Sequence, residues 1–260
     1  MKKFMSFWDE IRQCWWGSVT FYTIVPLPQS WQLKFDRVAR FAPFVGILIG
    51  ILLALSDLGL NLCGIPNLTR SALVIAFGVA VTGGLHLDGV IDTADGLAVL
   101  DSERRVTVMK ESTTGAFGVM AAVVLFVLKV GALSDINNFR WFVLILSAGW
   151  GRWAQVSAIA LYPYLKPEGK GSFHKEAFQW PQDWLLGWIV LALISIAGSM
   201  FLNLGWYSLI PLVGGTTIPL LVSWWFNRQL GGHTGDTYGA VVEWSEAIYL
   251  CALTTLAVTT

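Results

Sequence analysis

The chain has 260 residues, with 17 Lys plus Arg against 17 Asp plus Glu and a formal net charge of zero. Only 13% of it is charged and 55% is apolar, which excludes a disordered chain and falls short of the charge an ordinary soluble surface carries. With no basic excess to release counterions, a nucleic-acid partner is excluded too, and an integral membrane protein remains.

The start Met1-Lys2-Lys3 looks like the basic opening of a signal peptide. Asp9, Glu10 and Arg12 interrupt the apolar stretch that should follow, so no cleaved signal is expected. Residues 4–25 read as an aromatic, amphipathic helix lying in the membrane interface. A crossing needs about 20 mostly apolar residues. Seven segments approach this, near 38–58, 71–90, 114–134, 141–162, 184–204, 206–227 and 240–259. The expected fold is an all-α, polytopic bundle of about seven transmembrane helices plus the interfacial helix. No repeat, linker or low-complexity tract divides it, so residues 1–260 form one domain.

Gly46 and Gly50 form a Gly-x-x-x-Gly pair that permits close helix packing, and Gly205 with Pro211 places a turn between two spans. The 14 tryptophans suit interfacial belts. Cys14, Cys63 and Cys251 have neither metal nor redox spacing and read as small apolar residues. Lys and Arg outside the spans number six, one, three, one, three, none and one through successive segments, with none in the tail. That alternation predicts a cytoplasmic N-terminus and an external C-terminus.

Three polar constellations interrupt this pattern, and all fall on the predicted cytoplasmic side. In the first, residues 83–96, Asp88, Asp92 and Asp95 stand at i, i+4 and i+7, which is one helix face. Carboxylates so placed repel one another unless a cation sits between them, and hard oxygen ligands suit Mg²⁺ or Mn²⁺, ions typically shared with substrate phosphates. His86 precedes them as a base or a hydrogen-bonding orienter, and Gly83 and Gly84 allow close approach of a bulky substrate. In the second, Gly231, Gly232, Thr234 and Gly235 form a glycine-rich opening to the last helix, a ready anion site. Asp236 there could complete a metal shell, with Glu243 and Glu246 further along the helix. In the third, residues 110–118, Ser112, Gly115 and Gly118 either cap a helix or hold phosphate. Lys129 and Arg152 lie within spans, where a cation contacts an anionic substrate, pairs with a helix acid or snorkels. His174 and Glu176 read as members of a solvated loop. Together these residues point to metal-assisted phosphoryl transfer.

On residues 83–96, 109–118, Lys129, Gly151-Arg152 and 231–246, in that order over nearly the whole chain, the sequence resembles the cobalamin (vitamin B12) synthases. These are the adenosylcobinamide-GDP ribazoletransferases. The resemblance implies a multi-pass enzyme of the cytoplasmic (inner) membrane that needs Mg²⁺. It joins α-ribazole, or its 5′-phosphate, to adenosylcobinamide-GDP, giving adenosylcobalamin or its phosphate and GMP. Membrane lipid is its surrounding, and a homo-oligomer stays open. Carried over, Asp88, Asp92 and Asp95 would hold Mg²⁺ against the pyrophosphate. Asp236 would join them or orient the attacking hydroxyl. Glu243 and Glu246 would support the site or pair with Lys129 and Arg152. Two positions depart from the family's pattern. Glu111 stands where Asp is usual, which argues against metal ligation there, and His233 falls where the family does not fix a histidine.

A CDP-alcohol phosphotransferase would carry a second acidic cluster and an intervening Ala-Arg, and neither is found here. An ion-coupled transporter would show repeats and acids at mid-membrane; here the acids gather on one side.

Overall fold

The computed structural model describes residues 2–28, 30–111, 113–166 and 171–258. Among these the chain is helical, its one β-type pairing being a parallel bridge between Tyr164 and His233. The helices run α1 (Lys2–Tyr22), α2 (Ala42–Leu62), α3 (Asn67–Val81), α4 (Leu85–Leu97), α5 (Ser102–Val108), α6 (Ala116–Asp135), α7 (Arg140–Leu161), α8 (Ser172–Glu176), α9 (Gln182–Phe201), α10 (Leu209–Leu230) and α11 (Gly235–Leu253).

The core is built around α7. It is buried along almost its whole length, with Trp150 and Trp153 fully inside, and α2, α9, α10 and α11 surround it. A helix covered by protein need not be apolar enough to face lipid, which is why α7 can carry Arg152, Gln155 and Ser157. Gly46 and Gly50 let α2 lie directly on it. A Cβ at Gly46 would stand 2.3 Å from the Ala148 carbonyl oxygen, and one at Gly50 would stand 2.5 Å from Ile145 Cα.

Among the described residues four segments are long and apolar enough to cross a membrane: Val38–Leu62, Ala116–Asp135, Gln182–Phe201 and Gly205–Leu230. Helices α3 and α4 reach that measure only together, and they diverge by 92°. The expected continuous helix over 71–90 is therefore corrected to two. Gly83 and Gly84 both take positive φ, 62° and 72°, a conformation that side chains with a Cβ resist. So α3 stops at Val81 and α4 leaves in a new direction, outside the straight spans. Helices at all seven expected places exist, but among the described residues only four, or five with the bent pair, qualify as spans by length and composition. α7 and α11 are the shielded members. α1 forms where the interfacial helix was expected: Trp8, Asp9 and Glu10 are exposed, and Cys14, Ser18, Val19 and Tyr22 are buried.

Alternating helix direction puts the ends of α2 and α6 and the starts of α3 and α7 together. There Arg140 binds Asp57 at 2.6 Å, and Arg70 binds the same carboxylate at 3.3 Å. The two lone cations of the less basic loops thus neutralise a buried acid. The starts of α4, α6 and α11 gather at the opposite end of the bundle, where the acidic motifs lie.

Candidate active site

Two close crossings bring α4 and α11 together. A Cβ at Gly89 would lie 2.3 Å from the Asp236 carbonyl oxygen, and one at Gly239 would lie 3.0 Å from His86 Cα. Backbone therefore meets backbone, and the acids of α4 come beside the start of α11. The loop before α11 holds Asp236 there. Gly231 ends α10 at φ 78°. Gly232 lies against the Pro163 carbonyl, and His233 exchanges backbone hydrogen bonds with Pro163 and Leu165 at 2.9 and 2.8 Å. Thr234 then caps α11: its hydroxyl accepts from the Thr237 N–H at 3.2 Å, and the Thr237 hydroxyl accepts from the Thr234 N–H at 2.7 Å.

Asp236 takes one direct cation, Lys166 at 2.9 Å, and accepts from the Thr234 hydroxyl at 3.2 Å. Asp88 is exposed and Asp92 half-buried. Burial, then Asp88 and Asp236, push the Asp92 carboxyl up to about 6; Lys166 opposes this and Asp95 adds to it. Asp88, Asp92 and Asp236 are thus a group of acids short of positive charge. Among the described residues no three His, Cys, Asp or Glu side chains close a metal cage of their own.

Asp88 and Asp236 edge a cavity of about 350 Å³ whose wall includes Tyr22, His86, Gln155, His174 and Tyr238. His86 is 2% exposed, and neither ring nitrogen has a hydrogen-bond partner. Burial, with the Arg152 charge behind it, pushes His86 down to about 3, so its ring is neutral. Of the two roles read for it, hydrogen bonding suits such a ring better than holding a proton. His174 corrects the reading of a solvated loop residue: it is 2% exposed and faces the same cavity, while Glu176 is exposed. Tyr22, Gln155, His174 and Tyr238 come from four separate segments, and no local spacing links them. Gly235 also lines the cavity.

Other expected site residues are engaged elsewhere. Asp95 accepts from the Gly115 and Gly118 N–H groups at 2.7 and 2.8 Å. It therefore satisfies the start of α6, and those two glycines make room for its carboxylate. The third motif acts here as a helix start held by Asp95. Ser112 lies outside the described residues, and Glu111 is exposed. Lys129 binds Glu243 at 2.5 Å and Glu246 at 2.7 Å, and Arg152 binds Glu246. These four close a buried network between α6, α7 and α11. Of the arrangements expected for Lys129, Arg152, Glu243 and Glu246, the structure shows the mutual pairing, and none of the four lines the cavity beside Asp88 and Asp236. Gly83, Gly84, Gly231 and Gly232 shape turns and lie outside the cavity wall. His233 is fully buried, its Nδ1 3.2 Å from the Thr237 hydroxyl.

No solved structure is significantly similar to this chain. An adenosylcobinamide-GDP ribazoletransferase of Trichormus variabilis is 53% identical over 243 residues, covering 92% of this chain and 96% of that protein. Proteins of the same name from Thermosynechococcus vestitus and Synechocystis are 46% and 43% identical, each covering 96% of this chain and 97% and 99% of their own. The model of the cobalamin-5-phosphate synthase family matches residues 14–254. That match spans α4, the Asp236 loop and the buried ion network alike, and the chain belongs to the cobalamin-5-phosphate synthase family.

Proposed function

We propose that the carboxylates at the crossing of α4 and α11 carry a phosphoryl transfer joining α-ribazole, or its 5′-phosphate, to adenosylcobinamide-GDP. A ribazole hydroxyl oxygen forms a bond to the phosphorus on the corrinoid side. The bond from that phosphorus to the bridging oxygen breaks, and GMP leaves with the electron pair. The hydroxyl proton is lost to solvent or to a neighbouring carboxylate. The products are adenosylcobalamin, or its phosphate, and GMP. The observation carrying this reading is the close approach of Gly89 to Asp236, which sets acids from two family-matched motifs on one cavity.

The donor set fits Mg²⁺. Asp88, Asp92 and Asp236 offer only hard oxygens, Lys166 balances one charge among them, and Asp92 is pushed up to about 6 by its neighbours. An ion that keeps water and substrate phosphates in its shell needs few protein ligands, consistent with the lack of a closed cage among the described residues. One or two of Asp88, Asp92 and Asp236 would hold it, and Asp95, committed to α6, would support α4 from behind. When bound, Mg²⁺ supplies charge neutralisation to the diphosphate. Asp236 would also orient the attacking hydroxyl, with Lys166 fixing its carboxylate.

We place the site on the cytoplasmic side of the inner membrane, from the excess of Lys and Arg on the segments at that end. Lipid would cover exposed apolar residues such as Val123, Val127 and Leu193.

The test is turnover by purified protein in lipid, given adenosylcobinamide-GDP and α-ribazole phosphate with and without Mg²⁺. Mg²⁺-dependent release of GMP together with a ribazole-bearing corrinoid is expected. Folded protein that releases neither product overturns the reading.

A further inference from the structure

We infer that the cavity between Tyr22, His86, His174 and Tyr238 seats the guanine base of the GDP-linked substrate. The inference rests on the proposed reaction and goes beyond it, since that reaction leaves open where either base lies. Five helices supply the wall: α1 gives Tyr22, α4 gives His86, α7 gives Gln155, α8 gives His174 and α11 gives Tyr238. The cavity is about 350 Å³, within the usual range for a small-molecule pocket.

Unmet hydrogen-bonding groups converge on it. Both ring nitrogens of His86, Nδ1 of His174 and the Tyr238 hydroxyl lack partners, and each of these residues is 2% exposed. Buried polar atoms are nearly always satisfied, so three such side chains on one cavity call for a ligand with several polar edges. A neutral imidazole offers one donor and one acceptor, and a phenol offers both. Guanine answers them with acceptors at O6 and N7 and a donor at the N2 amino group. The ribazole base, an N-glycosylated benzimidazole, has a single ring-nitrogen acceptor and no donor, so it would leave the acceptors in the wall unmet.

The shape of the wall agrees. The Tyr22 and His174 rings are 13° from parallel with centroids 6.4 Å apart, and Tyr22 and His86 are 6.2 Å apart at 32°. Such faces suit a planar base. Asp88 and Asp236 edge the same cavity, so a nucleotide seated there would carry its phosphates toward the acids. A second cavity of about 480 Å³ lies further along α4, among Val90, Leu97, Trp225 and Trp244. Its almost wholly apolar wall has little to offer a guanine edge.

The experiment measures binding of GDP, ADP and α-ribazole phosphate to the full chain in lipid nanodiscs. GDP should bind at least ~10-fold more tightly than ADP, because wrongly paired base edges cost that much or more. Tyr238→Phe and His86→Phe should each weaken GDP by ~10-fold, as loss of one buried polar contact does, and leave α-ribazole phosphate within about twofold. Equal binding of GDP and ADP overturns the inference, and so does a loss falling on α-ribazole phosphate instead. Should a variant fail to fold, 8-azido-GDP is photo-crosslinked to the unaltered protein. Attachment is expected at Tyr22, His86, His174 or Tyr238, and attachment elsewhere overturns the inference. Turnover is followed in parallel. Turnover without guanine selectivity removes the base site and leaves the reaction standing. Guanine-selective binding without turnover removes the reaction instead.

Discussion

Gly89 on α4 touches the backbone of Asp236 on α11, and the space between them would not admit even a methyl group. This contact sets how far the α4 acids stand from Asp236. The second contact, Gly239 against His86, fixes the rotation of the same pair of helices.

Gly89→Ala should therefore separate the two helices. Overpacking of this kind costs about 1–3 kcal/mol, and a shift near 1 Å in reacting groups lowers turnover by roughly 100-fold. Gly239→Ala meets its neighbour at 3.0 Å, against 2.3 Å for Gly89, and should be milder. Turnover and thermal unfolding of both variants in the same lipid check the order.

Asp95 and Asp92 lie three residues apart and should respond oppositely. Asp95→Ala leaves the Gly115 and Gly118 N–H groups without their acceptor, a capping loss of about 0.5–2 kcal/mol. Asp92→Asn removes a charge from a repulsive group, so it should keep or raise thermal stability while turnover falls to background. Full turnover in Asp92→Asn would contradict its placement at the metal.

Lys129 bridges two glutamates inside the bundle, with Arg152 supplying the second positive charge. Lys129→Met leaves them to Arg152 alone, and breaking a buried pair costs about 3–5 kcal/mol. Adding Glu243→Gln restores charge balance and should recover most of that loss. A double-mutant cycle of thermal unfolding measures the coupling. No recovery would mean that Lys129 acts through packing rather than charge.

The acids also set a pH dependence. Asp92 is raised in the folded chain from its ordinary 3.8 to about 6. The folded state then holds the extra proton, so metal-free protein loses stability as pH rises from about 4 through about 6. Mg²⁺ needs the deprotonated carboxylate, so its stabilising effect should be small below about 6 and grow above it. Thermal unfolding with and without Mg²⁺ across pH 4.5 to 8 tests the sign.

Composition and local pattern sufficed for the membrane class, the helical segments, the close packing at Gly46 and Gly50, and the acids on one face of α4. These follow from chain-local physics: hydropathy over a span's length, a 3.6-residue period, and glycine at a tight approach. The motifs also sufficed for the family. The division of labour among the polar residues was not legible in the same way. Asp95 has the helical spacing of a metal ligand, yet it secures α6, because the start of α6 reaches it from 20 residues away. For Lys129 and Arg152 the sequence leaves anion contact, pairing with a helix acid and snorkelling all open, and the packing of α11 sets Glu243 and Glu246 beside them. His174, in a loop like many others, becomes part of a cavity wall only when α1, α4 and α11 close around it. A charge or a hydrogen-bonding group acquires its role from the partner that folding sets beside it. For these residues that partner lies far away in the chain, so helix packing decides the role.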